Sequence, residues 1–230
     1  AVMYLLVGII AVIRKGVESA QSELWLAVLN GAFLLMWIYN VAAKEWQTLL
    51  FAAWAVVFTV SSFVAFRFSS KLHPFFAYGS VGVAFIAAAT AAQLDGAALT
   101  IAFTIEILAL VITILALTKN VKAALTASAL FIAPAILSFA SMVRYMSSQE
   151  LFTRDFFVII VLAFSLIAAG RFLSSAAKEF KTEGPGTASA ALIVFGTLYI
   201  LSALWSFVHI LMRDTPDMAT MTTLIIYTII

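Results

Sequence analysis

The chain has 230 residues, of which 64% are hydrophobic and only 10% are charged, with a formal net charge of +2. A soluble domain is about half apolar and about a quarter charged, so this composition excludes a soluble protein coated by its own polar residues. The small net charge and the lack of a basic stripe exclude a nucleic-acid partner. The absence of cysteine excludes disulfides, thiolate metal sites and cysteine nucleophiles.

The apolar residues fall in blocks of about twenty, the length that a helix needs to cross roughly 30 Å of hydrocarbon. Charged residues, Gly, Pro and Ser divide the chain into nine apolar segments, at 1–13, 24–43, 46–66, 75–94, 96–118, 121–143, 155–173, 187–211 and 217–230. In lipid each segment must satisfy its own backbone hydrogen bonds, and the alternating pattern of barrel strands is absent. The sequence therefore predicts an all-α fold, a polytopic transmembrane helical bundle whose first and last segments are truncated.

The two ends of the chain indicate a longer protein. The sequence starts at Ala1 without an initiator Met and finishes in the apolar run TLIIYTII. We therefore expect residues 1–230 to form a single transmembrane helical domain that is a fragment of a longer membrane protein.

The sequence also contains an internal echo, by which we mean two short runs that resemble each other. The run AFRFSSK at 65–71 resembles AGRFLSS at 169–175, and both runs end an apolar segment. This fits a four-helix unit repeated in parallel. Chance recurrence of Arg-Phe and Ser pairs at helix ends explains the same echo.

Lys and Arg are unevenly distributed between the loops. The odd-numbered loops contain nine of them and the even-numbered loops contain four. Because cytoplasmic loops carry the excess of basic residues, we expect the odd-numbered loops to be cytoplasmic and residue 1 to lie on the outer side.

Polar residues inside apolar segments are the candidates for a functional site. Asn30 lies beside Gly31 in the second segment, where a hydrogen bond between helices would explain it without any function. Glu106 lies in the middle of the fifth segment, where a charge costs about 2.5–3.5 kcal/mol on insertion scales. Glu106 is therefore either an ionisable site on a transport pathway or a protonated carboxyl that holds helices together by hydrogen bonds.

The fourth and fifth segments are joined only by Asp95 and Gly96 and their neighbours, and Asp-Gly is a strong turn signal. The fourth segment is rich in Gly and Ala, which let helix backbones approach closely in lipid. The fifth segment carries a stripe at helical spacing, Ala102, Glu106, Ala109 and Thr113. We expect a tight helical hairpin, with this stripe buried against protein and Thr113 part of the polar site.

This region resembles a known family. The run GVAFIAAATAAQLDGAALTIAFTIEILAL at 82–110 is similar to the signature of a large family of bacterial many-spanning membrane proteins of unknown function. In that family an Asp-Gly turn leads to a helix with an Ala-Leu-Glu-like triplet in its middle. In this chain TIE at 104–106 occupies the position of that triplet. The Ala-Leu is missing, and so is the Trp that often precedes it in the family. The run FTRDFF at 152–157 resembles the family's Phe-Asn-x-Arg-Phe. The resemblance covers about residues 75–173 and implies a bacterial inner-membrane protein, with no activity attached.

Two further features lie towards the end of the chain. Pro134, in the sixth segment, removes a backbone donor and predicts a helix kink. His209 and Arg213 are four residues apart near the end of the eighth segment and share a helix face, with Asp214 next to them. They predict a polar cluster on the outer face, which is either an ordinary interfacial group or a ligand or proton-relay site.

The sequence does not favour an enzyme. It has neither the paired His-carboxylate spacing of zinc proteases nor a GxSxG elbow, so we predict no catalytic residue, metal site or cofactor. The expected partners are the lipid bilayer and other membrane proteins or the rest of its own chain.

Two functions remain: transport or permeation of a small solute or lipid, which we favour, and a structural or assembly subunit of a membrane complex. A polar cavity that reaches Glu106 would favour transport, whereas dense packing around it would favour the subunit.

Overall fold

The computed structural model describes residues 7, 10, 21–69, 72–180 and 185–229. These residues are helical apart from short connections, and no strand occurs among them. The helices are α1 (Gln21–Val41), α2 (Lys44–Ser69), α3 (Leu72–Gln93), α4 (Gly96–Thr118), α5 (Val121–Ser128), α6 (Ile132–Met146), α7 (Arg154–Glu179), α8 (Pro185–Leu211) and α9 (Pro216–Ile229). The all-α prediction is confirmed for this part of the chain.

Six stretches of the described chain are long and apolar enough to cross a membrane: Lys44–Arg67, Pro74–Gln93, Gly96–Thr118, Val121–Met146, Arg154–Glu179 and Gly186–Leu211. This pattern is compatible with a multi-pass integral membrane protein. Each of these stretches corresponds to one predicted apolar segment.

The count of nine membrane segments is wrong for the residues described. The second segment is a shorter apolar helix, Trp25–Val41, and the last one lies in α9, which has only 14 residues. The first segment, 1–13, lies outside the described residues except for Val7 and Ile10. The segmentation counted every apolar block, whereas a span needs about twenty consecutive residues.

The chain divides into two compact units, Ala1–Leu94 and Asp95–Ile230. The first unit contains α1, α2 and α3. Its core is built on aromatic rings, with Phe58 and Phe85 stacked at a centroid distance of 5.6 Å. The expectation of a single domain over 1–230 stays a prediction.

The small residues of α3 are explained inside the first unit, where α3 packs chiefly against α2 and also against α1. A Cβ on Gly82 would lie 2.9 Å from Oγ1 of Thr59, and a Cβ on Gly31 would lie 2.4 Å from Cγ1 of Val81. Both distances are too short for a real contact, so glycine is what lets these helices meet. The predicted pairing of α3 with α4 joins the two units and stays a prediction.

The second unit is organised around α7, half of whose span is buried and which packs against α8, α4 and α6. Helices α7 and α8 approach so closely that a Cβ on Gly170 would lie 2.7 Å from the carbonyl oxygen of Ser189. A Cβ on Gly196 would lie equally close, at 2.7 Å, to the carbonyl oxygen of Ala163. Since Gly170 meets the start of α8 and Gly196 meets an earlier part of α7, the two helices run in opposite directions.

The sixth apolar segment is interrupted just before its proline. Helix α5 ends at Ser128, a 3-10 turn covers Ala129–Phe131, and α6 begins at Ile132. Pro134 has no N–H to give to the carbonyl of Leu130, so the regular hydrogen-bond ladder cannot continue there. A short 3-10 turn is a common form of such an interruption, and it lies where the proline kink was predicted.

Candidate functional site

The face of α4 that packs into the second unit is not the predicted stripe. Its buried residues are Thr100, Thr104, Ile107, Val111 and Ile114. Of the stripe, Ala102 and Glu106 are half-buried, whereas Ala109 and Thr113 are exposed. The stripe is therefore not the face that packs within the second unit, because branched Ile and Val side chains fill the contact of α4 with α7 better than Ala does. Its expected burial in the hairpin with α3 involves both units and stays a prediction.

The intramembrane polar residues are found apart from one another. Glu106 lies in the middle of α4, and Asn30 is half-buried in α1. Each makes a contact within the chain through a hydrogen bond or an electrostatic interaction. Thr113 lies exposed two turns beyond Glu106. Both hypotheses for Glu106, an ionisable site and a packing device, stay open.

A half-open cavity with a partly polar lining, called the polar cavity below, lies elsewhere in the second unit, where the ends of α6 and α8 come together. Its volume is about 330 Å³. It is lined by Met146, Ser147, Ser148, Gln149, Trp205, Ser206, His209, Ile210 and Arg213. Glu106 is not in the lining. The structure therefore brings His209 and Arg213 of the predicted outer cluster into one cavity, whereas Asp214 is exposed and outside the lining.

His209 is held in place by a stacked ring face and by contacts of both ring nitrogens. The ring stacks on Trp205 with centroids 4.3 Å apart, and Nδ1 lies 2.9 Å from the carbonyl oxygen of Trp205. Since a carbonyl oxygen only accepts, Nδ1 carries the proton. Nε2 lies 3.3 Å from Oγ1 of Thr220, which also lies 3.0 Å from the carbonyl oxygen of Pro216. His209 thus joins the end of α8 to the first turns of α9.

The loop at 147–153, which supplies one wall of the cavity, is fixed at both ends. Arg144 donates to Asp155 through two bonds, from Nε to Oδ2 at 3.1 Å and from Nη2 to Oδ1 at 2.7 Å. Tyr145 donates its hydroxyl to the carbonyl oxygen of Leu151 at 3.2 Å, inside the same loop. Thr153 caps α7 by accepting from the backbone N–H of Phe156 at 3.2 Å. The cavity wall is therefore set by tertiary contacts.

Helices α6 and α8 are also joined deeper in the unit. Oη of Tyr199 lies 2.9 Å from Oγ of Ser138 and 3.3 Å from the carbonyl oxygen of Ala135. Ser138 is fully buried, so this link between neutral polar groups is shielded from solvent. It lies about one turn beyond Pro134 and holds the two cavity-forming helices together.

Sequence reasoning found His209 and Arg213 but missed Ser147, Ser148 and Gln149. Polar residues in a loop between two apolar segments are ordinary, so nothing in their spacing marks them. The available signal was the pair of opposite charges, Arg144 and Asp155, that flanks this short loop.

The first unit has a cavity of a different kind. Its volume is about 460 Å³, and it lies between α1 and α3. It is lined by Val28, Gly31, Ala32, Leu35, Met36, Tyr39, Ser80, Val81 and Ala84. With so few polar atoms it offers no chemistry beyond apolar contact, and Asn30 is not in its lining.

No family model, no curated protein and no solved structure matches the chain, so the family resemblance over residues 75–173 rests on the quoted motifs alone.

Proposed function

We propose that the chain is a multi-pass protein of the bacterial inner membrane, of the many-spanning family that it resembles, and that it transports a small polar solute or a lipid. The observation that carries this proposal is the polar cavity at the ends of α6 and α8. A bundle that only packs helices needs no polar cavity, and ligand sites in helical bundles are built between helices.

The charge pattern of the loops supports the same proposal. The two connections that border the cavity, after α6 and after α8, are both even-numbered loops in the sequence count. The excess of Lys and Arg in the other loops therefore favours an outward-facing cavity. Such a cavity would receive a solute or a head group from the outer side.

The alternative is a structural or assembly subunit of a membrane complex. What favours it is that Glu106 lines neither cavity, while Ala109 and Thr113 leave a small-residue face of α4 exposed. Small faces are used for close contact with other helices in lipid. In that case the partner would be another membrane protein or the rest of its own chain.

Reconstitution tests transport directly. The full chain in liposomes would be assayed by swelling in small polar solutes and by dithionite bleaching of fluorescent phospholipids across the bilayer. We expect one of the two signals to exceed that of protein-free liposomes. Arg213→Gln should reduce it. Arg154 is also exposed but lies outside the cavity lining, so Arg154→Gln should not.

If neither signal exceeds that of protein-free liposomes while the protein is shown to be inserted, transport is excluded for these substrates and the assembly role is favoured. Co-purification of a defined membrane partner would then be the next measurement.

A further inference from the structure

We infer that the cavity at the ends of α6 and α8 takes a compact zwitterion, in which an ammonium group lies a few atoms from a phosphate or carboxylate. This inference rests on the proposed function, because it names the class of molecule that the cavity would hold. Two sources carry this chemistry: the head group of phosphatidylethanolamine and a free small zwitterion.

Arg213 supplies the anion-binding half. It is the only formally charged residue in the lining, which contains no Asp or Glu. Within the described part of the chain its guanidinium makes no hydrogen bond or ion pair. A guanidinium presents a planar fork of donors that matches phosphate and carboxylate. Its charge is therefore available to an anionic group in the cavity.

The lining also contains several acceptors. Three hydroxyls of the lining already give their protons to backbone carbonyls: Ser147 to Val143 and Arg144, Ser148 to Glu150, and Ser206 to Ser202. A hydroxyl whose proton is used still offers lone pairs. These hydroxyls can therefore accept from a ligand without any rearrangement, and they cannot donate without losing a bond.

The helix ends add to this preference for a cation. Helices α6 and α8 end at Met146 and Leu211, beside the cavity. The last carbonyls of a helix lack helical partners, and together they form the negative end of the helix dipole. The hydroxyls and the helix ends therefore suit an ammonium, and Arg213 suits the anion.

A simple anion would fit the cavity less well. It would be attracted by Arg213 but could accept from the three hydroxyls only if each of them gave up its bond to a backbone carbonyl. A simple amine would meet the opposite problem at Arg213. A zwitterion satisfies both sets of groups, and a volume of about 330 Å³ is that of a site for a small ligand.

Binding can be measured on the full chain purified in detergent without added lipid. The probes are O-phosphoethanolamine, inorganic phosphate, ethanolamine and glycine at equal ionic strength, with the rise in Tm as the readout. We expect O-phosphoethanolamine to raise Tm at lower concentration than phosphate or ethanolamine. An equal effect of phosphate alone would overturn the inference, as would the absence of any shift with both zwitterions.

Variants locate the site. Because a charge-assisted hydrogen bond is lost, Arg213→Gln should raise the half-saturating concentration of O-phosphoethanolamine by about ten- to a hundredfold. Arg154→Gln should leave it unchanged. Ser148→Ala should weaken binding of ethanolamine and O-phosphoethanolamine but not of phosphate. If Arg213→Gln binds O-phosphoethanolamine as the wild type does, the inferred site is wrong.

Nanodiscs separate the two sources. Native mass spectrometry would compare retention of phosphatidylethanolamine, phosphatidylglycerol and phosphatidylcholine by the wild type and by Arg213→Gln. Selective retention of phosphatidylethanolamine, lost in the variant, identifies the lipid source, whereas binding of free zwitterions alone identifies a solute. Equal retention of phosphatidylglycerol would overturn the inference. Zwitterion binding without transport would remove the proposed function and leave this inference standing, and transport without zwitterion binding would do the reverse.

Discussion

Gly96 is the residue at which the chain leaves the turn after α3 and enters α4. Its φ is +51°, in the left-handed region, and a Cβ added there would meet no atom within 4 Å. The requirement for glycine is therefore conformational and not steric. A side chain in this region costs about 1–2 kcal/mol, which explains why the Asp-Gly signal was readable from the sequence.

Gly96→Ala is expected to lower the free energy of unfolding by about 1 kcal/mol. The matched control is Gly186→Ala, since a Cβ at Gly186 also meets no atom within 4 Å and the glycine has no positive φ. The control should be neutral, because alanine is the better helix former. Thermal unfolding in detergent would measure both, and equal Tm values for the two variants would contradict the backbone argument.

Glu106 can be tested by separating its charge from its shape. It is half-buried in the middle of α4 and makes a contact within the chain. We expect Glu106→Gln to keep wild-type stability, because the amide retains most of the hydrogen bonding. Glu106→Leu should lose about 1–3 kcal/mol, because a partner is left unsatisfied.

The control for Glu106 is Ile105→Leu on the exposed side of the same helix turn, which should be neutral. The liposome assays decide the role of the charge. Loss of transport in a stable Glu106→Gln protein would assign it an ionisable role, and full activity would end the proton-carrier hypothesis.

For single residues, the sequence reveals polar side chains that lie inside apolar segments, but it does not reveal which polar side chains in the loops take part in a site. His209, Arg213 and Glu106 stand out because polar side chains are rare in apolar segments. Ser148 and the ion pair between Arg144 and Asp155 do not stand out, because polar loops are common. Their role depends on how the ends of α6 and α8 meet, which no local pattern encodes.

The contact between helices α7 and α8 depends on two glycines, which lack the Cβ atom that would keep the two backbones apart. Gly170 and Gly196 each lie against a backbone carbonyl oxygen of the other helix at a distance that no Cβ tolerates. Lipid offers no hydrophobic drive for helices to associate, so close packing is what holds such a pair together.

Gly196→Ala is expected to destabilise the second unit by about 1–3 kcal/mol, because the methyl group forces a rigid backbone apart. Gly79→Ala is the matched comparison, since its Cβ would lie 3.3 Å from the hydroxyl of Ser62, a side-chain atom. Its loss should be smaller. Thermal unfolding in detergent checks the order, and a larger loss for Gly79→Ala would contradict the packing assigned to α7 and α8.

Helix bounds were largely predictable from hydropathy, and the deviations have physical causes. The segment 96–118 coincides with α4, but 155–173 falls short of α7, which continues to Glu179. Hydropathy marks where the apolar part ends, whereas the backbone ladder continues through Ala, Lys and Glu, which are good helix formers. The break at Ala129–Phe131 follows from Pro134, which an average over a window conceals.

At the scale of the whole molecule, the internal echo finds little support in helix positions. Arg67 lies in the last turn of α2, whereas Arg171 lies eight residues before the end of α7 at Glu179. Residues related by a true repeat would hold equivalent places in their helices. The parallel four-helix repeat stays a prediction, and chance recurrence explains the echo more simply.

Membrane orientation is the last prediction, and the chain is suited to its test because it contains no cysteine. Single variants Ser148→Cys, Asp214→Cys and Lys178→Cys would be treated with a membrane-impermeant maleimide on intact cells. The excess of Lys and Arg in the odd-numbered loops predicts labelling of the first two from outside and of Lys178→Cys only after permeabilisation. Ser148 and Asp214 must in any case respond alike, because the connections that carry them border one cavity. Labelling of both from inside would invert the orientation only, whereas opposite sides for the two would contradict the cavity and the site built on it.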